Sequence, residues 1–420
     1  MRCIHYPDEV AGAVSDLTTG TLRKGTREYR RASVVIFVAG FLTFAMLYIV
    51  QGMLPAISED FSVSPASASL TLSLTSLPLA VAVLLAAAWS EGQGRRPLLV
   101  GSLLGAAFLT LAAAGSPNFA SLLVLRVLTG LVLAGFPAVA MAYVAEEFHP
   151  SGLGTAMGLY ISGTGLGGMT GRLAGGLLTG VASWRVAMSC AAAVCLVGAI
   201  WVALQLPASR NFAVAPGRFR DRLGAVRQPL HDLVIIRLAV CGFVIMGSLV
   251  SFFNYLQYRL GDTPFNLSDT VIPFVFLLYL FGTFSANWMG RLTDHRSRRG
   301  VMLLGLAIMA GGALLTLPDL LPTVLVGTAA MVFGFFGTHS VASGFVGAWA
   351  RRQRAEASAL YLFGYHWGSG LAGFLGGLFF GAFGWWGEVG TVLVLLAIGG
   401  IAVAWLPTKT VQTEVVTDAS

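Results

Sequence analysis

The amino-acid sequence predicts an all-α membrane protein, with twelve transmembrane helices in two pseudo-symmetric six-helix bundles. Three observations carry that expectation. The 420 residues are 56% hydrophobic and only 11% charged, against roughly 25% charged in soluble domains, and mean hydropathy is +0.78. Polar and Pro/Gly breaks divide the chain into about twelve apolar runs, each near the roughly 20 residues that a spanning helix needs. Finally, residues 156–184 and 357–385 are one segment written twice. An offset of 201 residues carries Ala156, Leu159, Tyr160, Gly163, Gly167, Gly175, Gly176, Leu177, Gly180 and Trp184 onto Ala357, Leu360, Tyr361, Gly364, Gly368, Gly376, Gly377, Leu378, Gly381 and Trp385. A gapless repeat at half the chain length means that both halves share one architecture. Repeated halves in a membrane protein point to a binding site between them and a rocking motion about it.

The elements follow in order. Residues 1–32 hold Arg23, Lys24, Arg27, Arg30 and Arg31 and read as a cytoplasmic tail. The apolar run behind them is too long for a signal-peptide core and lacks a small-residue cleavage site, so it is a retained first helix. The first bundle, 33–206, has spans at 33–54, 67–89, 98–115, 119–143, 154–180 and 185–206. A basic linker, 207–233, contains Arg210, Arg218, Arg220, Arg222 and Arg227. The second bundle, 234–406, has spans at 234–257, 269–291, 301–317, 322–346, 357–381 and 387–406, and 407–420 is a C-terminal tail.

Arg95/Arg96, the linker, Arg296/Arg298/Arg299 and Arg351/Arg352/Arg354 all fall on one side if the spans alternate. The opposite loops hold Glu59, Asp60, Asp262, Asp269, Asp319 and Glu388, with Arg185 and Arg259 as the basic exceptions. The positive-inside rule makes the basic side cytoplasmic, so both termini are expected there, in a bacterial inner membrane. The net charge of +7 is scattered over short loops and does not suggest a nucleic-acid partner. Cys3, Cys190, Cys195 and Cys241 show neither metal-ligand nor redox spacing.

Gly163, Gly167, Gly171 and Gly175 recur every fourth residue, forming one stripe on the fifth span. Gly364, Gly368, Ala372 and Gly376 repeat it on the eleventh. Small-residue stripes let helix backbones approach closely. The stripe is read either as static packing or as a smooth surface on which the halves slide. The loops Glu91-Gly92-Gln93-Gly94-Arg95-Arg96 and Gly290 to Arg299 each place a carboxylate, Glu91 or Asp294, ahead of paired arginines. They serve as positive-inside anchors, or as a gate whose acid exchanges arginine partners between conformations.

These loops resemble the hallmark loop of the major facilitator superfamily, Gly-x-x-x-Asp-x-x-Gly-Arg-Arg/Lys. The first copy has Ala87 and Glu91 where the pattern has Gly and Asp; the second keeps Gly290, Asp294, Arg298 and Arg299, with Ser297 for the second Gly. Gly158, Gly167, Gly171, Gly175 and Gly176 match the fifth-helix glycines of the family's drug/proton antiporter branch, with Arg172 where that pattern has proline. Leu125 to Gly130 is similar to the branch's fourth-helix motif, whose arginine, here Arg126, is implicated in proton coupling. Leu47-Tyr48, Ser64 to Ser67, Gly158 to Gly163 and His339 to Ser343 resemble YnfM-type bacterial inner-membrane transport proteins. The resemblance spans 33 to about 406 and implies secondary transport by alternating access.

Arg126 and Arg172 are the basic residues placed well inside spans, about 10–12 Å deep at 1.5 Å per residue. A charge there costs at least about 2.5 kcal/mol, so each is a candidate for substrate binding or proton coupling; the alternatives are satisfaction by backbone carbonyls or snorkelling. No Asp or Glu is expected mid-span, the nearest being Glu146, Glu147 and Glu388 at span ends. His339 and His366 therefore become candidate proton carriers, or else helix-packing groups. Tyr279, Thr283 and Asn287 share one helical face, as do Tyr361, Tyr365 and Ser369. Tyr48, Gln51 and Asn254 are further candidates for a wet cavity, whereas Tyr258 reads as an interfacial belt residue.

The expected activity is efflux of a small organic solute against proton entry; the alternative is movement of an anionic or sugar-like metabolite. No Gly-x-x-x-x-Gly-Lys loop is present, and neither cofactor nor metal is expected. A membrane-embedded enzyme is disfavoured because neither a HExxH motif nor an intramembrane Ser/His/Asp set occurs; a receptor without transport is the remaining alternative. The expected partners are the substrate, protons and the lipid bilayer, with the protein acting as a monomer.

Overall fold

The computed structural model describes residues 22–212, 228–350 and 354–408, and the side chains of residues 87, 88, 91, 93, 228, 354 and 355 fall outside that description. Glu91, Arg351, Arg352 and Arg354, the linker arginines from Arg218 to Arg227 and most of both tails are thus outside it as expected features.

Among the described residues the chain is nearly all helix. The first half holds α1 (Arg27–Asp60), α2 (Pro65–Gln93), α3 (Arg95–Ala114), α4 (Phe119–Glu147), α5 (Pro150–Val181) and α6 (Trp184–Gln205). The second holds α7 (Leu233–Gly261), α8 (Ile272–Leu292), α9 (Arg298–Leu315) and α10 (Leu321–Trp349), then α11 and α12 within 354–404. Ten of the helical segments are long and apolar enough to cross a membrane. The difference from the twelve expected spans has two causes. The glycines and Arg172 of α5 dilute the hydropathy of a 32-residue helix. Also, α11 and α12 run on as one helical stretch broken only at Gly384, whose φ of 60° and ψ of −148° are not helical.

Several helices are longer than their apolar runs, because side chains outside the runs cap the first turns. Thr26 accepts from Tyr29 N, Ser64 from Ser67 N, Ser183 from Val186 N, Asp232 from Val234 N and Ser297 from Gly300 N. Such caps are worth about 1 kcal/mol each. The loops alternate between two faces: 94, 148–149 and 293–297 lie on the basic face, and 61–64, 115–118, 182–183, 262–271 and 316–320 on the opposite one.

Glycine seams hold each half together. A Cβ on Gly163, Gly167, Gly171 or Gly175 would come 2.1–2.6 Å from backbone carbonyls of α1, those of Phe37, Phe41, Ala45 and Ile49. On α11, Gly364 meets the Ala239 carbonyl of α7 at 2.5 Å, and Gly368 lies directly on that of Phe243. The seams thus lie inside the halves, and the reading of the stripe as a surface between sliding halves is corrected: a helix approaching to backbone contact at four successive turns is locked. Gly158 stands apart, with nothing within 4 Å of a Cβ there.

The halves meet through the neighbouring faces of the same helices. Gly176 and Gly180 of α5 abut Pro273 and Asp269–Thr270 at the start of α8, while Gly370 and Gly377 of α11 abut Leu77 and Ala66 of α2. These contacts lie mid-molecule or toward the face opposite the basic loops. Beyond Ser76–Ser369, at 3.4 Å, no hydrogen bond or ion pair between described residues joins the halves on the basic side. The described hydrogen bonds between the halves thus gather mid-molecule and toward the end opposite the basic loops.

Candidate functional site

Two interruptions of α-helical geometry occur where the halves close. Ile49–Met53 of α1 and Ile272–Tyr279 of α8 are wound as 3-10 helix. Mid-helix 3-10 turns commonly mark a hinge or local strain. Gly52 is obligatory in the first of them, since a Cβ there would lie 2.2 Å from the Arg172 carbonyl oxygen and 2.7 Å from Gly176 N.

Arg172 rises from α5 into this junction. Its Nε donates to Gln51 Oε1 at 2.5 Å and its Nη1 to the Gly168 carbonyl at 2.9 Å. The guanidinium carbon stands 3.7 Å from the Tyr48 ring centre and 4.8 Å from that of Tyr279. Gln51 continues the chain: its Nε2 donates to Asn254 Oδ1 at 2.7 Å and to the Val250 carbonyl at 3.1 Å, and Gln257 Nε2 donates to the Gln51 carbonyl at 2.6 Å. One hydrogen-bonded path thus runs from α5 through α1 to α7 and ties the halves. Gln51 and Asn254 are fully buried, and Arg172 is 2% exposed.

Among the described residues no carboxylate pairs with Arg172. Two aromatic faces and an amide carry its charge instead; cation–π contacts reach about 2 kcal/mol when desolvated. The Tyr48 and Tyr279 hydroxyls and Asn254 Nδ2 are buried without a partner. Buried polar atoms are nearly always bonded, so three free ones around an uncompensated cation form a place prepared for a polar ligand.

From this junction two faces lead toward the basic side. On α8, Thr283 and Asn287 follow Tyr279 at one-turn spacing, and both are exposed. On α10 and α11, His339 Nδ1 lies 2.8 Å from the Tyr361 hydroxyl, with the ring stacked on Phe335 at 5.9 Å and 4.9 Å from the Tyr365 ring. Tyr365 also packs against Phe335 at 6.3 Å and lies within electrostatic range of Arg172, Tyr48 and Tyr279. His366 is 4% exposed, and its Nδ1 has no partner.

Of the sequence candidates, Arg172, Tyr48, Gln51, Asn254, Tyr365 and His339 therefore converge. Arg126 sits elsewhere: it is fully buried within the first half, with Nε donating to the Thr71 carbonyl at 3.1 Å and Nη2 to that of Leu47 at 3.2 Å. Its Nη1 is unpartnered.

On the basic face Arg95 is clasped by Glu146 of α4, at 2.6 Å from Nη2 and 3.1 Å from Nε, and by Ser90. Its carboxylate partner here comes from α4. Arg96 caps α6 through the Ala203 and Leu206 carbonyls at 2.8 and 3.1 Å. Gly94 makes the turn with φ of 92°, a conformation that suits glycine. Among the described residues the Asp294 carboxylate makes no ion pair, and Arg298 lies over the Phe345 ring at 5.6 Å with Nη1 unbonded. Arg299 likewise makes no ion pair among the described residues, and Gly290 has open space where a Cβ would stand. The two basic exceptions of the opposite face are neutralised, Arg185 by Asp60 and Arg259 by Asp319.

Sequence reading passed over Gln257, although a polar residue three positions after Asn254 in an apolar run was the available signal. It also set Glu388 at a span end. The structure buries that carboxylate completely, with Oε2 accepting from Ser251 at 3.0 Å. Closeness to a helix end gave no measure of the packing around it.

The Major Facilitator Superfamily model matches residues 36–281 and 262–419. The chain is 40% identical over 379 residues to the uncharacterized MFS-type transporter YybF of Bacillus subtilis, covering 90% of this chain and 93% of that one. It is 39% identical to the inner membrane transport protein YnfM of Escherichia coli, covering 90% of each. Among solved structures, a bacterial homologue of the human lysosomal transporter Spinster, in an inward-facing and occupied conformation, aligns with a TM-score of 0.72 at 16% identity, over 90% of this chain and 96% of that one. With its duplicated helical halves, its junctional polar site and these relatives, the chain belongs to the Major Facilitator Superfamily of multi-pass membrane transporters.

Proposed function

We propose that the protein works by alternating access and exports a small organic solute in exchange for protons. The observation that carries this reading is the Arg172–Gln51–Asn254 path, which joins the halves toward the end opposite the basic loops. Placing the basic face in the cytoplasm makes the closed end extracytoplasmic and this conformation inward-facing. Both termini are then cytoplasmic. Solute enters between the two halves, past the faces of α8 and α11, reaches Arg172, Tyr48, Tyr279 and Tyr365, and exits once the path breaks. The fifth-helix glycines and Arg126 align the chain with the drug/proton antiporter branch and support export.

One observation favours a second reading. Arg172 is a buried cation without a carboxylate partner, which suits a solute carrying an anionic group. A solute screen in proteoliposomes, with and without an imposed pH gradient, tests both. Export predicts accumulation in inverted vesicles with substrate-dependent proton release. Accumulation of carboxylated or phosphorylated solutes alone selects the second reading, and no flux of any solute overturns both.

A further inference from the structure

We infer that Glu388 is the proton-binding group of the transport cycle, an assignment that rests on the proton-coupled reading above. Glu388 lies on α12, four residues beyond the turn at Gly384, and faces α7 and α11. It is fully buried. Oε2 accepts from Ser251 Oγ at 3.0 Å, and Oε1 has no partner. Gly376 opens the space: a Cβ there would stand 2.5 Å from Glu388 Oε2 and against Ser251 Oγ.

The fold does not need this carboxylate. The repeat offset maps Glu388 onto Ala187 and Gly376 onto Gly175. Ser251, in contact with Gly376, answers to Ile49, in contact with Gly175. The first half builds the same three-helix crossing from Ile49, Gly175 and Ala187, with Ala187 fully buried. An apolar set packs there without difficulty, so the Ser251–Glu388 pair is an addition made in one half only.

The surroundings define what the addition can do. From α7 the titratable neighbour is Tyr255, whose hydroxyl donates to the Gly373 carbonyl; from α11 the contact is a glycine. On α12, Trp385 donates to Thr316 Oγ1 at 3.0 Å. Arg259 stacks over Trp385 at 4.9 Å and is committed to Asp319 and the carbonyls of Thr316, Leu317 and Pro318. No described cation pairs with Glu388. A carboxylate sealed away from water without a counter-ion is strongly disfavoured, so the closed state holds the neutral acid, its proton on Oε1 and Ser251 donating to Oε2. Asn254, which closes the halves through Gln51, is one turn from Ser251 on the same helix. Loss of the proton to water favours a state in which α7 withdraws and hydration reaches the carboxylate, and this breaks the Gln51–Asn254 closure. Proton binding restores it.

The test needs no known solute. In a background lacking the four native cysteines, Ala66→Cys places a thiol at the closed contact with Gly377, and its maleimide labelling in liposomes is followed against pH. The wild-type carboxylate predicts labelling that rises at least about fivefold with pH beyond the reagent's own thiolate dependence, as measured on unfolded protein. Glu388→Gln, a permanent mimic of the neutral acid, predicts a flat, low profile. Glu388→Ala with Ser251→Ile copies the first half's packing and predicts the same flatness should Glu388→Gln fail to fold. A wild-type-like pH response in either variant overturns the assignment while leaving proton coupling standing. A flat response with Glu388 present overturns both.

Discussion

The seam of α1 on α5 and the seam of α7 on α11 share one register and differ in where the bulk is placed. Phe37 and Phe41 take the same positions against Gly163 and Gly167 as Ala239 and Phe243 take against Gly364 and Gly368. One turn further, Ala45 faces Gly171 in the first half, whereas Gly247 faces Ala372 in the second. At the junction, Gly52 lies under the Arg172 and Gly176 backbones, whereas Asn254 stands beside Gly373, the residue that the repeat aligns with Arg172. Close approach constrains the pair and not its members, since one small partner suffices at each level. Either helix can then carry the polar group. The first half puts a cation on α5 and the second an amide on α7, and Gln51 joins them.

Breaking a seam has the largest consequence. In Gly167→Leu the new Cβ meets the Phe41 carbonyl at 2.1 Å, and backbone cannot turn aside as a side chain does. Overpacking typically costs about 1–3 kcal/mol where side chains can shift, so here the expected result is loss of monodisperse protein, and Gly368→Leu should match it. A wild-type melting temperature in detergent would contradict the seam.

Removing the asymmetric groups comes next. Arg172→Ala should abolish flux at normal expression. Arg172→Lys keeps the charge but loses the planar fork and the stacking on Tyr48 and Tyr279, and should retain roughly one-tenth of the flux, a change of about 1.4 kcal/mol. Equal activity of the Lys and Ala variants would show that charge alone contributes nothing.

Asn254→Ala leaves the Gln51 amide nitrogen only its bond to the Val250 carbonyl. A hydrogen bond of this kind is worth about 0.5–1.5 kcal/mol, so the open population should rise by roughly two- to tenfold at fixed pH, read from Ala66→Cys labelling. Unchanged labelling would remove Asn254 from the closure.

Glu146→Gln is milder. The Arg95–Glu146 pair is partly exposed, at 11% and 27%, and exposed pairs are worth at most about 1 kcal/mol, so flux should fall by less than about fivefold. Gly158→Leu, with open space around it, should leave stability within about 0.5 kcal/mol of wild type.

The architecture was legible because Tyr160 and Tyr361 stand in register across entire helices, and membrane helices announce themselves by composition. Arg172 and Arg126 were legible as charges in apolar runs, but their ranking was not. What separates them is that Arg172 meets Gln51 and Tyr279, a contact between helices far apart in the chain that no local period encodes. Glu146 was hidden for the same reason, since the acid that clasps Arg95 belongs to another helix. Glu388 was missed because nearness to a helix end was taken for nearness to water, and Trp385, Ser251 and Gly376 show otherwise.

The seams also bear on inheritance. Residues that lock each half, such as Gly167 and Gly368, are separate from those such as Thr283 and Asn287, which are exposed. Substitutions at exposed sites usually change stability by no more than about 0.5 kcal/mol. A lineage carrying this chain can therefore accumulate changes at such exposed positions while leaving the scaffold's folding untouched.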